Sequence, residues 1–568
     1  AQAVRAFASF DAEPGLKFDK IYEVYSQRFF RDDLDESDRF DPKVLPASYM
    51  MTPKPGHAFV YVCTIQRMTI NLFGRNAVFG LGDESIDDDA EQMSIPNNAF
   101  DCIIADECHR GYTSAELSVW RQTLDHFDAI QIGLTATPAA HTTAYFGHPV
   151  YRYEYERAVR EGFLVDYDAV KLKSNVRMNG IFLEEGSTVG LVDTETGVEQ
   201  MDLLEDERRF DSTEIEQRVT SPDSNLKILE EIKKYADDHE KEHGRFPKIL
   251  IFAVNDMPHV SHADQLVDMA RGVFGRGEAF VQKITGRADR PLQRIREFRN
   301  RVNPGIAVTV DMLSTGVDIP DLEFIVFLRP IKSRILFEQM IGRGTRRGER
   351  FPDKSHFLVF DCFDGTLLEY FRKSTGMTAE LTLVEPRTIL QIIEDIWNNV
   401  DRDFNTRCLV KRLHRIDKDM SGKARQQFAA FIPDGDVKKF AAGLGERFRS
   451  DFTGTMAVLR NGNFQYLLVH YERAKPFFYK DYETEDHVES EMLIRDGMGN
   501  AYKPEDYIHK FMEFVRENEN QVQAIGILLR RPKSWNPSAL GELKSKLKSS
   551  PPYFEVPNLQ KAHRIYYK

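Results

Sequence analysis

Seven short apolar runs, rich in β-branched and aromatic residues, recur through the first two thirds of the chain. They are AFVYVCTI (58–65), FDCIIAD (100–106), AIQIGLTA (129–136), KILIFAV (248–254), GIAVTV (305–310), LEFIVFL (322–328) and HFLVFDC (356–362). The runs are continuous rather than alternating, so a strand made from any of them carries apolar side chains on both faces. Strands of that kind are covered on both sides, as in parallel sheets flanked by helices. Between them lie stretches with helical spacing, such as TSAELSVWRQTLDHF (113–127) and NLKILEEIKKYADDHEKEH (225–243). Strand, helix and strand in repetition predict βαβ units and an α/β fold with parallel sheets.

The pattern falls into two blocks, 1–150 and 223–372. The segment between them, 151–222, is polar and turn-rich over 165–215, and reads as a linker or insertion with a β-hairpin. Beyond 385, PRTILQIIEDIWNNV and PEDYIHKFMEFVRENENQVQAIGILLRR have i, i+3, i+4 apolar spacing, which predicts a mainly helical C-terminal domain over 385–568. A chain of 568 residues has room for this, at roughly three to five domains of ~150 residues.

With 42% hydrophobic and 29% charged residues, a disordered, collagenous or coiled-coil chain is excluded. No uncharged apolar run approaches the ~18 residues of a membrane span, and AQAVRAFASFDAEPG lacks the apolar stretch of a secretory signal. The five cysteines form no CxxC pair, so neither a disulfide framework nor a zinc cluster is expected. A reducing, cytoplasmic setting with no membrane partner is the expectation.

Formal charge is 76 − 89 = −13, which excludes a uniformly basic nucleic-acid binder. Screening confines surface electrostatics to about 8–10 Å, so local charge decides. Acid gathers at 31–41 and 83–91, which read as solvated faces; base gathers at 283–301 and 329–354.

The sharpest chemical signal is IIADECHRG (103–111), where an apolar strand ends in Asp106 and Glu107, followed by His109. Ligands of open α/β sheets sit at the carboxyl ends of the strands. Two hard oxygens there suit Mg²⁺, with Asp106 holding the ion through its water shell and Glu107 orienting an attacking water. The same pair also reads as an ordinary helix N-terminus. LTATP (134–138) brings Thr135 and Thr137 to the same edge. In the second block DMLSTGVDIP (311–320) offers Gly316 for a close backbone approach and Asp318 as acceptor for a hydroxyl, or else is a plain βα turn. EQMIGRGTRRG (338–348) places Gln339, Arg343 and Arg346 on one side of a helix or its first turns. Paired guanidiniums suit phosphate charge; a salt-bridged helix face is the alternative.

In order and spacing these clusters resemble the motifs of superfamily 2 helicases and translocases. DECH resembles motif II, TATP motif III, the TGVDIP stretch motif V, and QMIGRGTR motif VI. VYVCTIQRM (60–68) resembles motif Ib, and ITGRADR (284–290) the short motif between IV and V. The resemblance implies two RecA-like domains with parallel sheets, ATP and Mg²⁺ in their cleft, and nucleic acid across the top. It further implies that Asp106 and Glu107 serve metal and water, that Gly316 and Asp318 lie near the nucleotide, and that Arg343 and Arg346, with Gln339, face the phosphates. Thr135, Thr137 and His109 would couple the nucleotide state to nucleic acid, and Thr64, Gln66, Thr315, Lys283, Arg287 and Arg290 would contact it. For the 283–301 residues plain surface charge is the alternative.

Residues 133–169 and about 503–566 resemble more narrowly the motor (R) subunit of type I restriction enzymes, through TATP, then YFG-x-P-V-Y, then V-x-x-G-x-L-V-D-Y. That implies translocation on double-stranded DNA in company with methyltransferase (M) and specificity (S) subunits. Two departures stand out. The sequence has no G-x-x-x-x-G-K-[ST], the loop that cradles phosphates, and no convincing nuclease site. The expectation is therefore a fragment, beginning inside the first motor domain and inactive alone. Rival readings are another superfamily 2 helicase, of type III restriction or repair, and a non-catalytic DNA- or protein-binding module.

Overall fold

The strand Lys248–Phe252 is buried along its whole length, as its sequence KILIF requires. It pairs in parallel with Ile306–Thr309 on one side and Leu322–Phe327 on the other. From that centre a sheet of eight strands extends in the order Val281–Lys283, Ile306–Thr309, Lys248–Phe252, Leu322–Phe327, His356–Asp361, Asp166–Ser174, Val488–Arg495, Ala501–Tyr502. The first six are mutually parallel; Val488–Arg495 joins Asp166–Ser174, and Ala501–Tyr502 joins Val488–Arg495, by antiparallel pairing. This computed structural model describes residues 2–27, 43–77, 90–108, 114–136, 140–183, 187–194, 197–203, 208–210, 214–310, 319–331, 334–368, 388–420, 422–472, 477–496, 500–518, 545–547 and 553–566.

The chain divides into two compact units, Ala1–Arg152 and Tyr153–Thr375 with Val384–Lys568. In the second unit, helices Pro222–His243 and His262–Phe274 cover one face of the sheet through Ile228, Leu229, Ile232, Leu266 and Ala270. Helices Pro291–Asn300 and Arg334–Ile341 cover the other through Ile295, Phe298, Phe337 and Met340. The result is the three-layered α/β architecture expected of continuous apolar strands. Local signals set the helix ends: Ser221 accepts from the Ser224 amide at the start of Pro222–His243, and Gly244 closes it at φ 69°.

Two features differ from the sequence reading. Segment 151–222 does contain the expected hairpin, Thr188–Asp193 with Glu199–Leu203, but it also supplies Asp166–Ser174 as an interior strand of the main sheet. The helical part of the C-terminal region, from Ile389–Trp397 to Gly462–His470, packs around Ile392, Ile393, Leu413, Phe428 and Phe464. The chain then returns as strands. Phe477–Asp481 pairs with the hairpin and Val488–Arg495 with Asp166–Ser174. Buried Arg177 ties the insertion down, donating to the Leu328 carbonyl (3.3 Å), to Glu216 (3.3 Å) and to Asn225 (2.6 Å).

In the first unit Glu23–Ser26 lies between Lys43–Val44 and Phe59–Val62 in one parallel sheet, and Cys102–Ala105 pairs in parallel with Ile130–Gly133 in another. The last two strands were expected to be buried on both faces. Instead Ile104 is 55% and Ile130 71% exposed, so one face of this pair is open. Among the described residues, no helix is long and apolar enough to cross a membrane.

The central strand generates a stability prediction. Phe252 is fully buried and its ring stacks on Phe327 at 5.6 Å and 11°. Phe252→Ala should cost about 3–5 kcal/mol, read from the denaturant midpoint of the unit's unfolding.

Candidate functional site

Parallel pairing of Cys102–Ala105 with Ile130–Gly133 brings two loops out of the sheet side by side. The Leu134 amide donates to the Ala105 carbonyl (2.9 Å) and the Cys108 amide to the Leu134 carbonyl (3.1 Å), so the DEC and LTA stretches are stitched together. Asp106 is exposed, and its Oδ1 accepts from the Glu107 amide at 3.0 Å. Glu107 has φ 51°, a left-handed conformation costly for a residue with a Cβ and typical of sites where geometry outranks comfort. Residues 106–108 are a turn, and the next described helix is Ser114–Asp125. Gly133 is required beneath it, since a Cβ there would stand 2.9 Å from Cys108 Sγ and 3.0 Å from the Phe146 ring.

Burial raises the Cys108 pKa, and the neighbouring Asp106 and Glu107 charges add to the shift, which disfavours the thiolate. Among the described residues no group of three or more His, Cys, Asp or Glu side chains could hold a metal. Two adjacent carboxylates at a sheet edge nevertheless fit a hydrated Mg²⁺, which takes one or two protein oxygens and completes its shell with water and phosphate. Thr135 is half-buried in the adjoining loop. His109 and Thr137 lie outside the described residues, as do Thr315, Gly316 and Asp318.

Thr64 caps helix Ile65–Phe73, its hydroxyl oxygen accepting from the Arg67 amide at 3.1 Å, while its own amide donates to Gln27. Gln66 sits half-buried in the first turn of that helix.

At the carboxyl edge of the second unit's sheet, the expected basic track is partly self-neutralised. Lys283 donates to Asp256 (3.0 Å) and pairs with Asp264 (2.8 Å). Burial by itself raises the Asp256 pKa, but hydrogen bonds from Thr285, Ser261 and Lys283 outweigh it and hold the carboxyl below its usual range. Arg287 donates to the Asp256 carbonyl at 2.9 Å, and Arg294 is spent on the carbonyls of Asp289 and Lys283. Arg290 is exposed at φ 48° just before helix Pro291–Asn300 and, among the described residues, is less committed to neighbours than Lys283 and Arg294. The acidic partners Asp256 and Asp264 were missed in the sequence because they lie beyond a different strand from the lysine.

The arginines also sit differently from the expectation. Gln339 lies in helix Arg334–Ile341, but Arg343 and Arg346 follow it, in a turn created where Gly342 and Gly344 end the helix. They are not neighbours on one helical face. Arg343 is half-buried and Arg346 exposed. The turn is held from the other side by the chain leading into Asp166–Ser174: the Val165 amide donates to the Thr345 carbonyl (2.8 Å) and Leu164 bridges Arg346.

Residues 1–140 match the family model of the type III restriction enzyme res subunit, and residues 242–348 that of the helicase conserved C-terminal domain. The chain therefore carries the paired domains of a superfamily 2 helicase-type protein. Within that class it is similar to the endonuclease subunits of type I restriction enzymes. It is 31% identical over 523 residues to the EcoKI subunit of Escherichia coli (strain K12), covering 82% of this chain and 43% of that one. With the EcoAI subunit of Escherichia coli it shares 32% over 289 residues, 50% of this chain and 32% of that one. A solved fragment assigned as an HsdR subunit of a type I restriction enzyme from Vibrio vulnificus YJ016 aligns at 22% identity over 56% of this chain and 50% of that one, with a TM-score of 0.35. The chain spans less than half the length of the curated restriction subunits it matches.

Close packing under the arginine turn yields a prediction. A Cβ at Gly344 would stand 2.4 Å from the ring of buried Phe357, whereas one at Gly286 meets nothing within 4 Å. Gly344→Ala should destabilise by about 1–3 kcal/mol and Gly286→Ala by no more than about 0.5 kcal/mol, in parallel denaturant titrations.

Proposed function

We propose that this chain is the double-stranded DNA translocase part of a type I restriction endonuclease R subunit, driven by ATP hydrolysis with Mg²⁺. The observation that carries the reading is the Asp106–Glu107 turn, stitched to the LTA loop at the carboxyl end of a parallel strand, in a chain similar over 82% of its length to such a subunit. When bound, Mg–ATP supplies the phosphoanhydride whose hydrolysis powers movement. Asp106 would hold the ion and Glu107 would orient the water. Arg343 and Arg346, with Gln339 behind them, would meet phosphate charge through planar, always-charged guanidiniums. Gly316 and Asp318 would lie by the nucleotide, and Thr135, Thr137 and His109 would relay its state.

DNA contacts would go mostly to phosphates, through Arg287, Arg290 and Thr315 of the second unit and Thr64 and Gln66 of the first, and would be independent of sequence. Lys283, already committed to two aspartates, would act through Asp256 more than through phosphate. Sequence choice would come from methyltransferase and specificity subunits. The rival motor reading, a strand-separating helicase, is distinguished by a duplex-unwinding assay, in which a pure translocase leaves the strands paired.

Three outcomes are expected. Glu107→Gln in the full-length protein should keep DNA binding and lower DNA-stimulated ATP turnover by about 10³-fold or more, since it removes the group that orients the water; near-normal phosphate release would remove the assigned role. The 568 residues by themselves, with no G-x-x-x-x-G-K-[ST], should release no phosphate above background with duplex DNA present. Finally, Arg290→Ala should weaken binding alike for all sequences and flatten the salt slope by about one unit, whereas Lys283→Met should change the slope less.

A further inference from the structure

The carbonyls of Gly344, Thr345 and Arg346 are three consecutive acceptors in the turn that follows helix Arg334–Ile341, and a buried carbonyl without a partner is costly. All three are taken. Lys354 Nζ donates to Gly344 and Arg346 at 2.8 Å each, and the Val165 amide takes Thr345 between them at 2.8 Å. A third bond from the same ammonium, also 2.8 Å, reaches the carbonyl of Pro320, which leads into the strand Leu322–Phe327. Lys354 is only 5% exposed, and an ammonium has three N–H donors; each has a carbonyl here. A turn over Phe351–Lys354, closed by the Lys354 amide on the Phe351 carbonyl at 3.0 Å, brings the side chain back under the arginines.

Burying an ammonium is expensive, and a well-packed apolar residue would fill the same space at lower cost. What the charge adds is orientation. One rigid point anchors both ends of the peptide triple that begins beside Arg343 and ends at Arg346, and joins them to the segment following 311–318. From these contacts we infer that Lys354 is a positioning residue for the proposed hydrolysis, holding the arginine turn in the one arrangement that presents Arg343 and Arg346 to phosphate. The inference rests on the reading of those arginines given above. No part of Lys354 reaches the phosphates itself; it acts through the backbone of the turn.

The test uses the full-length protein with duplex DNA and compares Lys354→Met, Lys354→Arg, Arg343→Ala and the double variant Lys354→Met/Arg343→Ala. Readouts are kcat and KM for ATP, duplex affinity, and hydrogen exchange at the Val165 amide. Lys354→Met should lower kcat about 10–100-fold, the range seen when a supporting partner of a site is lost. KM and duplex affinity should stay within about twofold, and Val165 exchange should quicken. The double variant should be no slower than Arg343→Ala alone. Lys354→Arg keeps the charge but not three divergent donors, so it should fold and show an intermediate kcat; it carries the test if the methionine variant does not fold. Normal kcat in both lysine variants beside a slow Arg343→Ala, or losses that multiply in the double variant, would overturn the positioning role alone. Full turnover in Arg343→Ala would overturn the assignment of the arginines and this inference with it.

Discussion

Parallel pairing of Lys248–Phe252 between Ile306–Thr309 and Leu322–Phe327 is the constraint from which the larger unit is built. Parallel strands cannot be joined by tight turns; each connection must cross over, and here His262–Phe274, Pro291–Asn300 and Arg334–Ile341 are crossover helices laid on one face or the other. All six strands then point the same way, so the sheet has two chemically distinct edges. The carboxyl edge carries Asp256, Lys283, Arg287 and Arg290. The amino edge carries Val165, Pro320 and Lys354, each within two residues of a strand start, and with them the arginine turn. Helix Arg334–Ile341, eight residues and about 12 Å long, runs between the edges and delivers that turn. Separation of the basic carboxyl edge from the arginine turn is thus a consequence of strand direction.

What was legible in the sequence follows the same logic. Continuous apolar strands announce themselves, because burial on both faces leaves no room for alternation; KILIF, IAVT and LEFIVF could hardly be anything else. Asp166–Ser174 was not legible. Its sequence DYDAVKLKS alternates charged and apolar residues, as an exposed hairpin strand does, yet Asp168 is fully buried. What makes that burial tolerable is Lys561, nearly four hundred residues away in helix Val556–Tyr566, which no local pattern reveals. Val488–Arg495 is hidden for a similar reason: its partner strand lies on the far side of the helical region.

The candidate site was read unevenly for a reason that is also physical. Asp106 and Glu107 stand where a strand runs out, and the strand is visible in the sequence. Arg343 and Arg346 were placed on a helix because three-residue spacing fits one, but Gly342 and Gly344 stop it first, and Gly344 is needed where Phe357 packs against the backbone. Lys283 looked like a free cation because its partners, Asp256 and Asp264, follow a different strand. Short motifs identify what a residue is; only the fold decides what it has already been paired with.

The seam between the parallel and antiparallel parts of the sheet shows how much polar chemistry the fold commits away from any site. Asp166 is pushed up to about 6 by burial even though Arg495 bonds it at 2.7 Å, and His356 is pushed down to about 4, again mainly by burial. Arg495 lies over the Tyr167 ring at 4.0 Å, and Asn558 reaches the Arg495 carbonyl. Such a network adds little net stability, since desolvation offsets most of its attraction, but removing one partner leaves a buried charge with nothing opposite it. An apolar seam would accept many registers. A seam of paired charges accepts one, and so fixes the C-terminal strand and helix Val556–Tyr566 against Asp166–Ser174, the strand whose first residue follows directly on the Val165 bond to the arginine turn.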